Sequence, residues 1–245
     1  MSIWESSPNN PPHFRCVNIA KNYENVPVVK NISLELPRGG GVSLLGPSGV
    51  GKTTLFNVLA GIDPPDGGNV YLDGEDISGI PGRVGYMPQK DLLLEHRTVL
   101  DNVILPLLIR GEKKKTARES AAAFFPQFGI AGYEQKYPRQ LSGGMRQRAA
   151  LLRTWMTHTS VILLDEPFSA LDAITRRQMQ DWYREISVKI GLSTLFITHD
   201  VDEALLLSTK VYILNGKPGT IAAVFEAERH RPEQKQKILE TLNVQ

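Results

Sequence analysis

Gly46-Pro47-Ser48-Gly49-Val50-Gly51-Lys52-Thr53 decides how the rest of the chain is read. It fits the pattern G-x-x-x-x-G-K-[ST], and its flanks are those the pattern requires. Before it, Gly41-Val42-Ser43-Leu44-Leu45 is apolar and β-leaning; after it, Thr54-Leu55-Phe56-Asn57-Val58-Leu59-Ala60 predicts a helix closed by Gly61. Strand, glycine-rich loop and helix together make a phosphate cradle. Gly46, Gly49 and Gly51 let successive N–H groups turn inward, and the new helix adds the positive end of its dipole. Lys52 brings a full charge to β- and γ-phosphates, and the Thr53 hydroxyl is placed for Mg²⁺. Pro47, Ser48, Val50 and Thr54 complete the candidate nucleotide contacts here. A glycine-rich turn with a chance Lys-Thr pair is the plain alternative, which the flanks disfavour.

The 245 residues are 41% hydrophobic and 22% charged, an ordinary globular composition. The length suits one large domain, or a domain with a lobe. Against 28 basic residues stand 26 acidic ones, a net charge of +2, which gives no ground for nucleic-acid binding by bulk charge. The single cysteine, Cys16, excludes an internal disulfide and a cysteine metal cluster. It is expected as a small buried residue on an early strand. Met1 to Pro12 is polar and proline-rich, and is expected to be an arm rather than a signal peptide. No apolar run approaches the roughly 20 residues that span a bilayer. The chain is therefore expected to be soluble and cytoplasmic, with any membrane role exercised through a partner.

Phe14 to Ala20 and Val28 to Leu36 predict strands around an Asn22-Tyr23-Glu24-Asn25 turn, with the alternation Ile32, Leu34, Leu36 leaving one face wet. This points to an antiparallel sheet attached to the core. Val70 to Leu72 and Val84 to Met87 predict short strands. Between Lys90 and Arg139 no strand is expected: Val99 to Ile109 is apolar and interrupted by Pro106, and Thr116 to Phe128 predicts a helix ending near Pro126. Ser142 is a fitting N-cap for the helix that carries Met145, Ala149, Leu152 and Met156. Val161 to Leu164 predicts a buried strand, Ile174 to Ile190 an amphipathic helix, and Ser193 to Thr198 another core strand. Val211 to Leu214 and Thr220 to Phe225 close the fold, and Pro232 to Leu242 is a polar peripheral helix.

Three apolar strands thus end in chemistry, at Gly46, at Asp165-Glu166 and at His199. In a parallel α/β sheet such ends gather along one edge, where ligands bind. Asp165 is suited to hold Mg²⁺ through its water shell, and Glu166, aimed differently, to polarise an attacking water. His199 is suited to the γ-phosphate or the water. The Gln89 amide oxygen is suited to a metal or water. Each alone has an everyday structural explanation. The fold class expected is α/β, a P-loop NTPase core with a mainly parallel sheet, an antiparallel β subdomain and an inserted helical subdomain. The chain is read as one domain over 1–245: 13–88 the N-terminal β and phosphate-loop part, 89–140 the helical subdomain, 141–228 the remaining core, and 229–245 the peripheral C-terminal helix.

The combination resembles the ATP-binding subunit of ABC transporters. Leu141-Ser142-Gly143-Gly144-Met145-Arg146-Gln147-Arg148 looks like the family's LSGGQ-type signature, with Met145 in the fifth place. Val161-Ile162-Leu163-Leu164-Asp165-Glu166-Pro167 looks like its Walker B strand, and Ser169-Ala170-Leu171-Asp172 like its D-loop. Gln89 and His199 match the Q-loop glutamine and the switch histidine, and Tyr23 the aromatic that stacks on adenine. The likeness runs from about Phe14 to Phe225. It implies an ATPase using ATP and Mg²⁺, in which two chains pack head to tail. Each ATP then lies between Lys52 of one and Ser142, Gly143 and Gly144 of the other. Glu166 is then the general base, with Gln89 and His199 as further catalytic groups; Thr53, Gln89 and Asp165 hold the metal, and Asp172 communicates between sites.

In such transporters the stretch here running from Gln89 to Ile109 receives an integral membrane permease, with Leu92, Leu93, Leu94 and Val99 offering apolar contact. The family resemblance also implies a peripheral place on the inner face of the cell membrane, an indirect solute-binding protein partner, and no nucleic acid. Tyr86 to Leu94 with Arg97 to Val103 resembles the importer branch serving nitrate, sulfonate, taurine or pyrimidine thiamine precursors; Met87-Pro88-Gln89 leans to the pyrimidine group. Glu95-His96 replaces the Pro-Trp frequent there, and Arg38 to Gly41 is expected to form a looser turn than the family's Gly-Glu. A soluble ATPase of the same superfamily with a non-transport role is the alternative. A GTPase lacks its Asn-Lys-x-Asp here, a kinase has no need of Leu141 to Arg148, and retained Lys52, Asp165, Glu166 and His199 argue against a dead regulatory subunit.

Overall fold

A computed structural model describes residues 13–227 and 232–243. The arm expected over 1–12 and parts of 229–245 lie outside the described residues. The chain opens with strands β1 (Phe14–Tyr23), β2 (Val26–Leu36) and β3 (Gly41–Leu45), then helix α1 (Lys52–Leu59). Strands β4 (Gly67–Leu72), β5 (Glu75–Asp76) and β6 (Gly85–Met87) come after it. Helices α2 (Val99–Val103), α3 (Leu105–Ile109), α4 (Lys114–Ala122) and α5 (Gly143–Trp155) are next. The second half runs β7 (Val161–Asp165), α6 (Ala173–Ile190), β8 (Ser193–Thr198), α7 (Val201–Leu207), β9 (Lys210–Asn215), β10 (Thr220–Glu226) and α8 (Pro232–Asn243).

The described strands form two sheets. One is antiparallel in the order β2-β1-β4-β5; the other runs β10-β9-β3-β8-β7-β6, parallel throughout except for β10. The fully apolar strands of the second sheet still obey the two-residue period, because each face has its own core. Val161 and Leu163 of β7 and Leu195 and Ile197 of β8 pack with α1 and the antiparallel sheet. Ile162, Leu164 and Phe196 face the opposite way, into the cluster built by α2 to α6. There Tyr183 is buried edge-on between Phe168 and Phe196, at 6.1 and 5.3 Å, with its hydroxyl 2.6 Å from the Thr194 hydroxyl. A buried tyrosine needs such a partner for its O–H.

Four local expectations change. The hairpin turn is only Glu24-Asn25, both at positive φ (49° and 65°), so β1 continues through Tyr23. The Arg38-Gly39 turn is tight rather than loose: Gly40 N donates to Pro37 O at 3.1 Å, and Gly39, at φ 66°, donates to Ser193 Oγ at 2.7 Å. Glycine at the third place of such a turn supplies the φ that other residues resist. Helix α4 stops at Ala122, several residues before Pro126, where Phe125 and Phe128 turn into the core. Helix α7 is an addition to the expected elements; Asp200 caps it by accepting from Glu203 N at 3.1 Å. The Asp-x-x-Glu spacing is the sequence signal for it.

Leu93 and Val99, expected to offer apolar contact to a partner, are buried in the same cluster as α5 and do not reach the surface, whereas Leu92 (58% exposed) and Leu94 (37%) do. The loop before α2 hangs on buried Asn102. Its amide accepts from Leu94 N at 2.6 Å and donates to the carbonyls of Leu94, Arg97 and Thr98 at 3.1, 3.3 and 3.0 Å. Replacing it strands a buried donor and several acceptors. Asn102→Ala is expected to cost about 2–3 kcal/mol in urea unfolding and to speed tryptic cleavage at Arg97. A loss below about 0.5 kcal/mol would mean the loop holds itself.

Candidate nucleotide site

Strand register assembles the site. Leu45 pairs with Thr198, and Ile197 with Asp165, so β3, β8 and β7 end level with one another. Met87 of β6 pairs with Leu164, which brings Gln89 alongside. Val28, Ser48, Gly49, Gly51, Lys52, Thr53, Thr54, Gln89, Asp165, Glu166 and His199 line one cleft of about 520 Å³. That size suits a small ligand.

The loop that enters α1 needs its glycines for identifiable reasons. A Cβ on Gly46 would run into the Leu214 carbonyl oxygen, and Gly51 sits at φ 105° where side chains are strained. Lys52 is buried at the first position of α1, and its Nζ donates to the Gly46 and Pro47 carbonyls at 2.7 and 2.9 Å. Burial pulls the ammonium below its ordinary value, and the nearby Glu166 and Asp165 charges work against that pull. An ammonium held in this way exchanges carbonyl partners for phosphate oxygens at little reorganisation cost.

The two adjacent carboxylates diverge. Asp165 is buried and accepts from Thr53 Oγ1 at 3.1 Å, and the Tyr86 hydroxyl bonds it as well. Burial raises its carboxyl above the ordinary value, with the Glu166 charge adding to the rise and the Thr53 and Tyr86 bonds opposing it. Glu166 leaves the strand in the left-handed region, at φ 46°, with its N–H on the Ile197 carbonyl at 2.9 Å. That conformation costs a non-glycine residue on the order of 1–3 kcal/mol and is found where an aim matters. Its Oε2 accepts from Gln89 Nε2 at 3.0 Å, and its Oε1 lies 3.4 Å from His199 Nδ1. That bond leaves the Gln89 amide oxygen unused. Thr53 hydroxyl, Gln89 amide oxygen and Asp165 carboxylate form the hard-oxygen set that fits Mg²⁺ with phosphate oxygens and waters. Tyr86, which orients Asp165, carried no signal beyond its place on β6.

Other expected contacts stand apart from the cleft lining. Tyr23 is at the hairpin tip, 43% exposed, its hydroxyl donating to Asp63 Oδ2 at 2.6 Å and also meeting Thr54. Ser142 caps α5, its Oγ accepting from Met145 N at 3.4 Å; Ser142 and Gly143 are exposed, and Gly144 packs on Thr175. Asp172 caps α6 by accepting from Ile174 N and Thr175 N at 3.1 and 3.0 Å. None of Tyr23, Ser142, Gly143, Gly144 and Asp172 lines the cleft of its own chain.

The raised Asp165 carboxyl has a consequence for stability. The folded state holds that proton more tightly than the unfolded chain. Stability from this group is therefore greatest below the ordinary value of 3.8 and falls as pH rises through the folded value. Asp165→Asn is expected to stabilise the ligand-free protein by about 1 kcal/mol at neutral pH, and the gain should vanish below that window. Thermal melts across pH in the absence of Mg²⁺ check this; a loss of stability at pH 7 contradicts it.

Residues 29–169 match the ABC transporter family. The chain is 44% identical, over 78% of its length and 75% of the relative's, to the formylaminopyrimidine import ATP-binding protein of Halalkalibacterium halodurans. It is 40% identical to a sulfate/thiosulfate import ATP-binding protein of Rhizobium meliloti, covering 82% of this chain and 57% of that one. It superposes with a TM-score of 0.75 on the dimeric post-hydrolysis structure of an ATP-binding cassette bound to ADP and Pi, which is 26% identical and covered to 99%, with 88% of this chain covered. Among the described residues no helix is long and apolar enough to cross a membrane. The chain belongs to the ABC transporter family as one of its ATP-binding subunits, an ATPase.

Proposed function

We propose that two copies of this chain bind two ATP molecules between them, and that closing on ATP and reopening on hydrolysis drive import through an integral membrane permease on the inner face of the membrane. The observation that carries this is the placement of Ser142-Gly143-Gly144. These residues open a 13-residue helix with an exposed N-terminus, yet lie outside the cleft that holds Lys52. A helix N-terminus with exposed N–H groups suits an anion. The chain's own phosphate cradle is already complete, so the second end serves the nucleotide of another copy.

Within each site Lys52 trades carbonyls for phosphate oxygens, while Thr53, Gln89 and Asp165 hold Mg²⁺, which supplies neutralising charge on the phosphates. Glu166 takes a proton from the attacking water as the water oxygen bonds the γ-phosphorus and the bond to ADP breaks. His199, beside Glu166, donates to the γ-phosphate, and Tyr23 offers its ring to the base. Asp172, holding the start of α6 beside Gly144, relays the state of one site to the other. The solute is a small organic anion or a pyrimidine-type compound, and the 44% identity to a formylaminopyrimidine import ATP-binding protein supports the pyrimidine type; a solute-binding protein is the further, indirect partner. Exposed Leu92 and Leu94 then offer the permease its apolar contact.

Glu166→Gln is expected to bind MgATP, to lower turnover by about 10³-fold or more, and to shift from monomer to dimer with MgATP in light scattering. A wild-type hydrolysis rate would remove Glu166 as the base. Ser142→Arg in the same background should leave nucleotide binding by the single chain within about twofold but abolish ATP-driven dimerisation. Normal dimerisation in that variant would sink the shared site.

A further inference from the structure

Arg146 lies one turn into α5 from Ser142, and two carboxylates of the loop beyond Gln89 bracket it. Its Nε and Nη2 meet Asp91 Oδ2 and Oδ1 at 2.8 and 3.1 Å, a side-on fork, and its Nη1 meets Glu95 Oε1 at 2.9 Å. Arg153, two turns further along, donates to the Leu92 carbonyl at 2.8 Å and to the Asp91 carbonyl at 2.5 Å. The Asp91 carboxylate also takes the Leu93 N–H at 2.9 Å. The side chains of Asp91 and Arg146 are only 19% and 27% exposed. A planar guanidinium gripping one carboxylate with two parallel bonds fixes direction as well as distance, which a loose surface pair does not.

The other end of the same loop touches the chemistry. Gln89 donates to Glu166, and Glu166 lies beside His199. The line of contact from the cleft is therefore Glu166, Gln89, Asp91, Arg146 and then Ser142 at the head of α5. A cation taken on the Gln89 oxygen, with the Nε2 of the same amide already tied to Glu166, holds the loop from both ends of that amide, and any displacement of the loop reaches α5 through the fork. We propose that Arg146 is a positioning residue of the shared site: gripped by Asp91 and Glu95, it transmits the position of the Gln89 loop at one nucleotide to the Ser142 end of α5, which serves the nucleotide of the other copy. The inference rests on the two-copy site proposed above. It makes the two hydrolysis sites interdependent without either touching the other.

The test compares the full chain with Arg146→Met, Asp91→Asn, Glu95→Gln and the Arg146→Met/Asp91→Asn double variant. Each is read three ways: binding of a fluorescent ADP to the single chain, the MgATP concentration at half-maximal dimerisation in the Glu166→Gln background, and the Hill coefficient of ATP hydrolysis with Glu166 intact. ADP binding is expected to stay within about twofold throughout, since none of these residues lines the cleft. The dimerisation midpoint is expected to rise about tenfold in Arg146→Met and Asp91→Asn and about threefold in Glu95→Gln, with the Hill coefficient falling towards about 1. The double variant is expected to be no worse than Arg146→Met, as for two halves of one contact. Unchanged midpoints, or losses that multiply in the double variant, overturn the proposal. Loss of ADP binding in Asp91→Asn and Glu95→Gln makes the fork a structural tie only and also overturns it. A parent chain that stays monomeric with MgATP overturns the two-copy site and this inference with it, whereas a parent that closes beside an Arg146→Met that closes equally well overturns this inference alone.

Discussion

Everything at the nucleotide site depends on three parallel strands ending level. Leu45, Thr198 and Asp165 finish β3, β8 and β7 in adjacent register, and the residues just past those ends carry the chemistry: a glycine loop, a histidine and a glutamate. A one-residue slip would turn side chains across the sheet and separate these groups. The register is held because both faces of the sheet are buried. Val161, Leu163, Leu195 and Ile197 are committed to one core, and Ile162, Leu164 and Phe196 to the other. The hydrophobic cores therefore act on the chemistry directly, as the means by which it is aligned.

That alignment places like charges together in a poorly solvated spot, and the chain tolerates it at the expense of stability. Asp165 is buried beside Glu166, its carboxyl raised by burial, and Lys52 is buried with its ammonium lowered for the same reason. Glu166 adds a left-handed backbone. None of these features favours folding of the ligand-free chain. In the proposed site, MgATP would relieve them together, with phosphates at Lys52 and a cation at Asp165. Ligand binding to the folded state alone then returns stability by mass action. Backbone strain and buried charge concentrated at one strand edge suit a site for a highly charged ligand.

The parts of this arrangement that were legible in the sequence share a cause. The phosphate loop, Asp165-Glu166 and His199 each come directly after a short apolar run, and apolar runs between polar loops predict buried parallel strands. The Ser142 cap and the α6 helix were legible from local chemistry and a 3.6-residue period. The features that stayed hidden depend on contacts between distant residues. Tyr86 reaches Asp165 only because β6 pairs with β7. Leu93 and Val99 resemble surface residues beside Leu92 and Leu94 until α5 supplies the core that covers them. Helix α7 is too short for a clear period, and only its Asp200 and Glu203 cap announces it. The tight Arg38-Gly39 turn needs Ser193, on a strand far along the chain, to hold it.

Asymmetry within a single chain makes the case for a second copy. One helix N-terminus, that of α1, lies in the cleft with a buried lysine and glycines that no side chain could replace without strain. Another, that of α5, is equally glycine-rich at its start but exposed, and its cap is a serine whose hydroxyl holds its own Met145 N–H only at 3.4 Å. A cap serving the helix alone would gain from a shorter bond and has no need of two glycines, which weaken a first turn. Gly144 is explained within the chain, since a side chain there would crowd Thr175. Gly143 meets only the tip of Leu171, so its openness has no tight packing cause inside the chain. An exposed helix start that gives up side chains is suited to close approach by something outside the fold, and an anionic nucleotide carried by a second cassette matches both the charge and the clearance.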